Sequence, residues 1–252
     1  MPPITLHMVI ARQIALDLSH RDISADSGAY LLGATSPDIR VITRQDRYST
    51  HFFDLGEHNH QDSVATFLNA CWHLAAPERL NQPTRAWAAG YISHLVLDEQ
   101  YITGVYRRYF LRHDHLGGTI RANVMDRLLQ FDLDRRYGSD PALKTAICDA
   151  LACTVHDIQT GFIDAETLER WRQVSRDVAA RNLDWGRARA MIANHLRYAG
   201  LEEDETLKRF LDSLPELLDE TIAHITDAEI DAFLQRATET ARAAVGRYLG
   251  CA

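Results

Sequence analysis

Histidine and aspartate side chains that could hold a metal ion recur in the first hundred residues of the sequence. His94 and Asp98 stand four residues apart, so in a helix they lie one turn apart on the same face. Imidazole and carboxylate groups together are ligands typical of zinc and similar divalent ions. The pair therefore indicates either a metal site or a buried His–Asp hydrogen bond, and for an isolated pair the hydrogen bond is the commoner outcome.

The segment around this pair, PTRAWAAGYISHLVLDEQYITGVYRRYF, predicts a helix from Pro83 to Phe110. One face of that helix is expected to point inward, because most of its members are apolar or aromatic. The face comprises Trp87, Tyr91, His94, Asp98, Tyr101 and Val105. Burying an unpaired polar group costs on the order of 2–7 kcal/mol. Asp98 therefore requires either a hydrogen-bond partner or a cation.

Two further histidines are expected to face the interior. His7 shares an apolar stripe with Ile10, Ala11 and Ile14 in a helix predicted over Thr5–Ser19. His51 is followed by two phenylalanines in the sequence THFFD, and we expect it to turn inward with them. Each residue alone is more typical of a packed core histidine than of a metal ligand.

Asp38 is a fourth candidate ligand, in a turn after a predicted helix. That helix spans Ser24–Leu32, with Gly33 as its expected C-terminal cap. Pro37 disfavours helical backbone at the residue before it. The sequence SPD therefore predicts a rigid turn, with Ser36 in extended conformation. Asp38 is then either a turn-forming aspartate or a ligand on a stiff loop.

The whole sequence predicts an all-α fold of about ten helices, which we assign to one metal-binding domain spanning residues 1–252. It contains no segment in which β-branched residues alternate with polar ones between turn signals. Helix caps recur along the chain, and no linker, repeat or low-complexity segment divides it.

Composition narrows the classes of function. The net charge of −8 disfavours binding to nucleic acid or to anionic membranes, since both require a basic surface. We expect no stable membrane anchor, because no stretch approaches the roughly 20 apolar residues of a membrane span. The four cysteines lack a Cys-x-x-Cys spacing, and the N-terminus lacks the features of a secretion signal. These observations predict a cytoplasmic protein with reduced thiols.

The motifs around the candidate ligands resemble those of the zinc-dependent phospholipase C family, whose superfamily includes single-strand-specific zinc nucleases. They follow in the order His7, LLGATSPD ending at Asp38, HFFD beginning at His51, and GYISHLVLD containing His94 and Asp98. The resemblance covers about the first 110 residues. It implies an all-α fold resembling that of the family.

The resemblance also implies ligand roles. Asp38, His51, His94 and Asp98 match the ligands of one zinc ion, and His7 and Asp98 match ligands of a neighbouring ion, with Asp98 as the bridge. Members of the family use such a cluster to bind a phosphodiester and to activate water, as paired metal ions can do in general. Asp38 is also the candidate catalytic residue.

The sequence departs from the family after Asp98. Family phospholipases continue with a histidine shortly after this aspartate and then a His-x3-Glu motif, whereas here the next residues are EQYITG. We therefore expect one or two ions, zinc or another divalent metal, rather than three. His113, His115 and Asp126 are alternatives for completing a second site.

These features lead to a first hypothesis, an intracellular zinc-dependent phosphoesterase that resembles phospholipase C and acts on a phosphodiester or related small-molecule ester. Arg107, Arg108 and Arg112 are candidates to hold phosphate, although a solvated helix face is the commoner role for such arginines.

The alternative is a non-catalytic helical protein that retains the fold and one structural metal and binds a lipid or a protein partner. A metal-dependent phosphohydrolase of the HD type ranks last. Its adjacent His-Asp pairs would be His113-Asp114 and His156-Asp157.

Overall fold

The computed structural model describes residues 2–198 and 205–251 of the chain. Throughout these residues the regular secondary structure is helical and no strand occurs, so the prediction of an all-α fold is confirmed. The α-helices are α1 (Ile4–Leu18), α2 (Arg21–Ala25), α3 (Ser27–Gly33), α4 (Arg40–Thr43), α5 (Tyr48–His51), α6 (Ser63–Ala70), α7 (Gln82–Tyr101), α8 (Thr119–Gly138), α9 (Pro141–Ala150), α10 (Ala165–Ala180), α11 (Trp185–Tyr198), α12 (Glu205–Asp212), α13 (Leu214–Ile225) and α14 (Asp227–Leu249).

Short helical segments of other types complete the described chain. They are 3-10 turns at Ser36–Ile39, Trp72–Leu74, Pro77–Arg79 and Asp114–Leu116, and a π-helix at Ile102–Phe110. The count exceeds the predicted ten because several of the α-helices have one or two turns. None of the helices in residues 2–198 and 205–251 is long and apolar enough to cross a membrane.

Helix α7 forms the centre of the fold. It packs mainly against α3 and α14, and also against α1 and α6. Every residue from Ala86 to Asp98 is buried, so α7 is covered on all sides rather than only on the predicted face. The Asn81 side chain accepts a hydrogen bond from the Thr84 amide at its start, as a good N-terminal cap does. Beyond Tyr101 the backbone widens into the π-helix, so the predicted helix to Phe110 consists of two forms.

The region before Asp38 differs from the prediction in two ways. The expected helix Ser24–Leu32 is divided at Asp26, whose backbone leaves the helical region and whose side chain caps α3 by accepting from the Ala29 amide. Gly33 is not a left-handed cap, because it lies inside α3 and Ala34 follows in right-handed conformation. The C-terminal-cap interpretation of Gly33 is therefore wrong.

Gly33 instead permits close contact between α3 and α7. A Cβ atom on Gly33 would lie 1.9 Å from the carbonyl oxygen of Trp87, and one on Gly90 would lie 1.9 Å from that of Tyr30. Both obstacles are backbone atoms, which cannot move aside as a flexible side chain can. The two glycines thus set the spacing between α7, which carries His94 and Asp98, and α3, which leads into the turn that carries Asp38.

We predict that Gly33→Ala destabilises the protein by at least about 1–3 kcal/mol, the usual cost of overpacking a core. The matched control is Gly104→Ala, where a Cβ would meet nothing within 4 Å, and helix propensity favours alanine there by about 0.5–1 kcal/mol. Urea unfolding followed by circular dichroism measures both. Equal stability of the two variants would show that the α3–α7 contact tolerates a side chain.

Candidate metal centre

The five side chains predicted as metal ligands converge in the interior. His7 comes from α1, His51 from the end of α5, and His94 and Asp98 from α7, while Asp38 comes from the 3-10 turn Ser36–Ile39. All five are buried, four of them with 3% or less of the residue exposed and Asp38 with 8%. Residues distant in sequence thus form one polar cluster inside an apolar core.

Contacts across the cluster link three histidines with two carboxylates. The Nε2 atom of His51 lies 3.4 Å from Asp38 Oδ1 and 3.4 Å from Asp98 Oδ2. His7 Nε2 lies 3.5 Å from Asp98 Oδ1. The rings of His7 and His94 are stacked with centroids 3.6 Å apart and an interplanar angle of 8°.

Several atoms that face the cluster have no hydrogen-bond partner despite full burial. These are His7 Nδ1 and Nε2, His51 Nε2, His94 Nε2 and Asp98 Oδ1. Buried polar atoms are almost always hydrogen-bonded, and an unpaired one costs about 1–3 kcal/mol. Several such atoms close together are what a metal site provides.

The second ring nitrogen of two histidines is fixed by a neighbouring group. His94 Nδ1 lies 2.8 Å from the Ala34 carbonyl oxygen, which can only accept, so Nδ1 carries the proton and Nε2 presents a lone pair. His51 Nδ1 lies 2.9 Å from the Thr50 hydroxyl. Such outer hydrogen bonds orient the imidazoles that ligate metals in general.

The donor set fits a zinc ion. With zinc–ligand bonds of about 2.0–2.2 Å, the donor atoms of a tetrahedral site lie about 3.3–3.6 Å apart. The three histidine–carboxylate separations in the cluster are 3.4, 3.4 and 3.5 Å, longer than a good hydrogen bond. The cluster contains two groups of three potential ligands, His7-His94-Asp98 and Asp38-His51-His94. Within each group, one potential ligand atom from each residue lies within 4.8 Å of those from the other two.

Electrostatics keep both carboxylates ionised. Burial alone raises the pKa of Asp98, but the nearby His7, His51, His94 and Arg47 outweigh burial, so this pKa lies well below its usual value. Burial likewise raises the pKa of Asp38, and the proximity of His51 and His94 turns the net shift downward. Ionised carboxylates are the form that binds metal ions.

His94 is held in its neutral form. Burial, followed by the charge of His7, lowers the pKa of His94 to about 3, against the opposing effects of Asp98 and Asp38. Neutral imidazole is the form that ligates a metal. The cluster thus combines two carboxylates with a lone pair from His94.

Residues 6–100 match the family model described as zinc dependent phospholipase C. This match confirms the resemblance predicted from the motifs, and all five candidate ligands fall inside it. Searches of curated proteins and of solved structures found no match. The family match and the cluster together support a zinc phospholipase C-like protein with a possible metal site.

Two tryptophans from other helices hold the turn that carries Asp38. Trp87 of α7 donates to the Ser36 hydroxyl at 2.9 Å, and Trp171 of α10 donates to the Thr35 hydroxyl at 3.1 Å. The Asp38 amide donates to the Thr35 carbonyl at 3.0 Å. The turn is rigid as predicted, but Ser36 lies within a 3-10 turn rather than in extended backbone, because these side-chain contacts override the preference imposed by proline.

Asp134 of α8 supports the helix that carries His7. Its Oδ1 atom accepts from the Leu6 amide at 3.0 Å, one of the first-turn amides of α1 that have no partner within their own helix. Burial raises the pKa of Asp134 to about 7, although the Leu6 amide, the Thr5 hydroxyl and Arg187 act in the opposite direction. The start of α1 is therefore tied to a carboxyl group that titrates near neutral pH.

Arg47 also belongs to the cluster, although it is not among the residues predicted from the sequence. Its Nη2 atom donates to Asp98 Oδ2 at 2.6 Å. A signal did exist, because Arg47 and His51 are four residues apart and one helical turn aligns them. Nothing local to that segment, however, shows that Asp98 lies opposite.

The alternative second-site residues lie outside the cluster. Both Asp126 oxygens are occupied, by the Tyr101 hydroxyl at 2.6 Å and the Gln130 amide at 2.7 Å. His113 contacts Thr119, and His115 is exposed. In the described parts of the chain, neither group of potential ligands includes any of these residues.

The other candidates from the sequence are also engaged elsewhere or exposed. Arg107 donates to the Leu55 carbonyl, Arg108 pairs with Glu229, and Arg112 is exposed. The histidine–aspartate dipeptides of the HD-type hypothesis, His113-Asp114 and His156-Asp157, likewise lie outside both groups of potential ligands.

We predict that Asp134→Asn becomes progressively more stable than the wild type as the pH rises from 5 to 8. In the wild type a raised carboxyl pKa means that the stability contributed by the protonated group is present at low pH and lost as the pH passes through about 7. The expected gain between the two pH values is roughly 2–3 kcal/mol. Asparagine retains an oxygen for the Leu6 amide.

Urea unfolding with chelator present at both pH values measures this difference. The control is Asp114→Asn, the same change at a fully exposed carboxylate. A constant stability difference between Asp134→Asn and the wild type across this range would contradict the raised pKa.

Proposed function

We propose that the protein is a zinc-dependent hydrolase that resembles phospholipase C and cleaves a phosphodiester or a related small-molecule ester. The observation that carries the proposal is the set of buried, unpartnered polar atoms in the cluster formed by side chains of α1, α5 and α7, which contains two groups of potential metal ligands. Hydrogen bonding within the protein leaves these atoms unsatisfied. A divalent cation satisfies those of them that it reaches, which include one of the two His7 nitrogens at most.

Each of the five side chains has a role on this proposal. The ion is held by His51, His94, Asp38 and Asp98. His7 contributes a further ligand nitrogen from the opposite side of Asp98. When bound, zinc supplies a Lewis acid that polarises a phosphoryl oxygen and makes water acidic enough to react near neutral pH. The Ala34 carbonyl and the Thr50 hydroxyl keep the His94 and His51 rings oriented toward the ion.

The exposed edge of the cluster indicates where a substrate enters. The Asp38 side chain is 12% exposed and that of Arg47 is 11%, whereas the His51 and Asp98 side chains are at most 4% exposed. Asp38, whose lowered pKa favours the ionised form, accepts a proton from the attacking water on this proposal. This is the basis for proposing it as the catalytic residue.

The proposed substrate is a small molecule rather than a nucleic acid, because the chain carries a net charge of −8. We also propose a cytoplasmic location. All four cysteines are free thiols, which is typical of proteins in reducing compartments.

A structural metal is the alternative, and the burial of the site favours it. Four of the five candidate ligands are 3% exposed or less, which suits a closed site with protein ligands in every position. On this alternative the protein binds zinc, does not hydrolyse esters, and acts by binding a lipid or a protein partner. Metal content and hydrolysis measured on the same sample separate the two possibilities.

We start from wild-type protein with free zinc at about a hundredfold its Kd, and predict that adding a chelator lowers the melting temperature by about 5–10 °C. Asp98→Asn should remove most of this sensitivity, because Asp98 contacts both His7 and His51. The control is Asp126→Asn, which changes a buried carboxylate outside the cluster. This variant should remain sensitive to the chelator. A wild type that contains no metal and ignores chelator would reject the metal centre.

A second measurement tests the catalytic step. Asp38→Asn should lower hydrolysis of a chromogenic phosphodiester by at least about 100-fold, the lower range for loss of a general acid–base group. His51→Ala should lower metal content, as measured by elemental analysis of untagged protein. Full metal content with no hydrolysis of either diesters or monoesters by the wild type would favour the structural alternative.

A further inference from the structure

Arg47 is anchored so that its charge lies against the central carboxylate. Its Nη2 atom contacts Asp98 Oδ2 at 2.6 Å, and its Nη1 atom donates to the Phe53 carbonyl at 3.1 Å. The Arg47 carbonyl accepts from the His51 amide at 2.9 Å. The same helical turn thus delivers a candidate ligand and a fixed cation to one carboxylate.

Asp98 consequently presents two different oxygens. Oδ1 is buried without a hydrogen-bond partner and faces His7. Oδ2 already carries the Arg47 guanidinium. A carboxylate that bridges two metal ions offers one oxygen to each ion, whereas here one oxygen is occupied by a protein cation.

His94 imposes an independent limit on the number of ions. Both groups of potential ligands include His94, but its Nδ1 atom is engaged with the Ala34 carbonyl. Only Nε2 remains, and its one lone pair binds one ion. The two groups therefore cannot both act as three-ligand sites at the same time.

The charges of the cluster lead to the same conclusion. Asp38 and Asp98 contribute two negative charges and Arg47 one positive charge, while the histidines are neutral when they ligate a metal. One divalent ion brings the sum to about +1, and a second would bring it to about +3 in a buried site, where unbalanced charge is costly.

We propose that Arg47 takes the place of a second metal ion, so that the centre holds one divalent ion and Arg47 supplies the remaining positive charge on Asp98. This inference rests on the proposed metal-binding function and narrows it from one or two ions to one. It also gives Arg47 a definite energetic effect. A cation beside the ion repels it and competes with it for Asp98.

The test is zinc binding to metal-depleted protein, with stoichiometry from native mass spectrometry and affinity from competition with a chromogenic chelator. The variants are Arg47→Gln, which removes the charge, and Arg47→Lys, which keeps it. The control is Arg79→Gln, the same charge change at an arginine whose side chain is 84% exposed. Circular dichroism checks the helical content of each variant.

We expect one zinc ion per wild-type chain with zinc in excess. Arg47→Gln should bind zinc at least about tenfold more tightly, because repulsion and competition are removed. Arg47→Lys and Arg79→Gln should stay within about threefold of the wild type. The metal-depleted Arg47→Gln protein should melt below the metal-depleted wild type, since its carboxylates then lack a cation, and zinc should close this gap.

Two results would overturn the inference. One is a wild type that binds two zinc ions, whatever the variants do; the proposed metal centre would then stand while the role of Arg47 fails. The other is Arg47→Gln that binds zinc more weakly than, or equally to, Arg79→Gln. A wild type that binds no zinc would instead reject the proposed function itself.

Discussion

The burial of Asp98 in the middle of α7 is the constraint on which the arrangement of the N-terminal half depends. This carboxylate is 3% exposed and surrounded by helices that otherwise contribute apolar side chains. The neighbouring His7, His51, His94 and Arg47 hold its pKa well below the usual value against the effect of burial. The relative positions of three chain segments must therefore be fixed, namely α1, the turn of α5 and α7. The contact between Gly33 and α7 helps to fix these positions.

The support of the cluster is distributed over the C-terminal half, outside the range of the family match. Trp171 of α10 bonds the turn that carries Asp38, and Asp134 of α8 bonds the start of the helix that carries His7. The outer hydrogen bonds of a metal site orient its ligands. Helices that lack the motifs can thus be required for the geometry of residues that have them.

The sequence predicted those features that depend on short-range spacing or on motif order. His94 and Asp98 share one helical face by periodicity alone, and the succession of His7, Asp38 and His51 before them carried the family resemblance. The all-α fold followed from helix caps and the lack of strand patterns. Each of these signals is contained within a few turns of chain, so one sequence suffices to detect it.

Features created by contacts between distant segments could not be predicted in the same way. Gly33 looked like a helix cap because glycine commonly ends helices, whereas its role is set by the Trp87 carbonyl on another helix. Ser36 adopts helical backbone before proline because Trp87 bonds its hydroxyl. The contact of Arg47 with Asp98 joins residues 51 positions apart, so no local pattern indicates it. On the proposed one-ion centre, the cluster with Arg47 would carry a charge of about +1, which a monoanionic phosphodiester would neutralise and a dianionic monoester would exceed. Asp38 and Arg47 are the most exposed of the paired side chains at the cluster, so on that proposal they would meet the anion first and Arg47 would contribute to the selection of the substrate by charge.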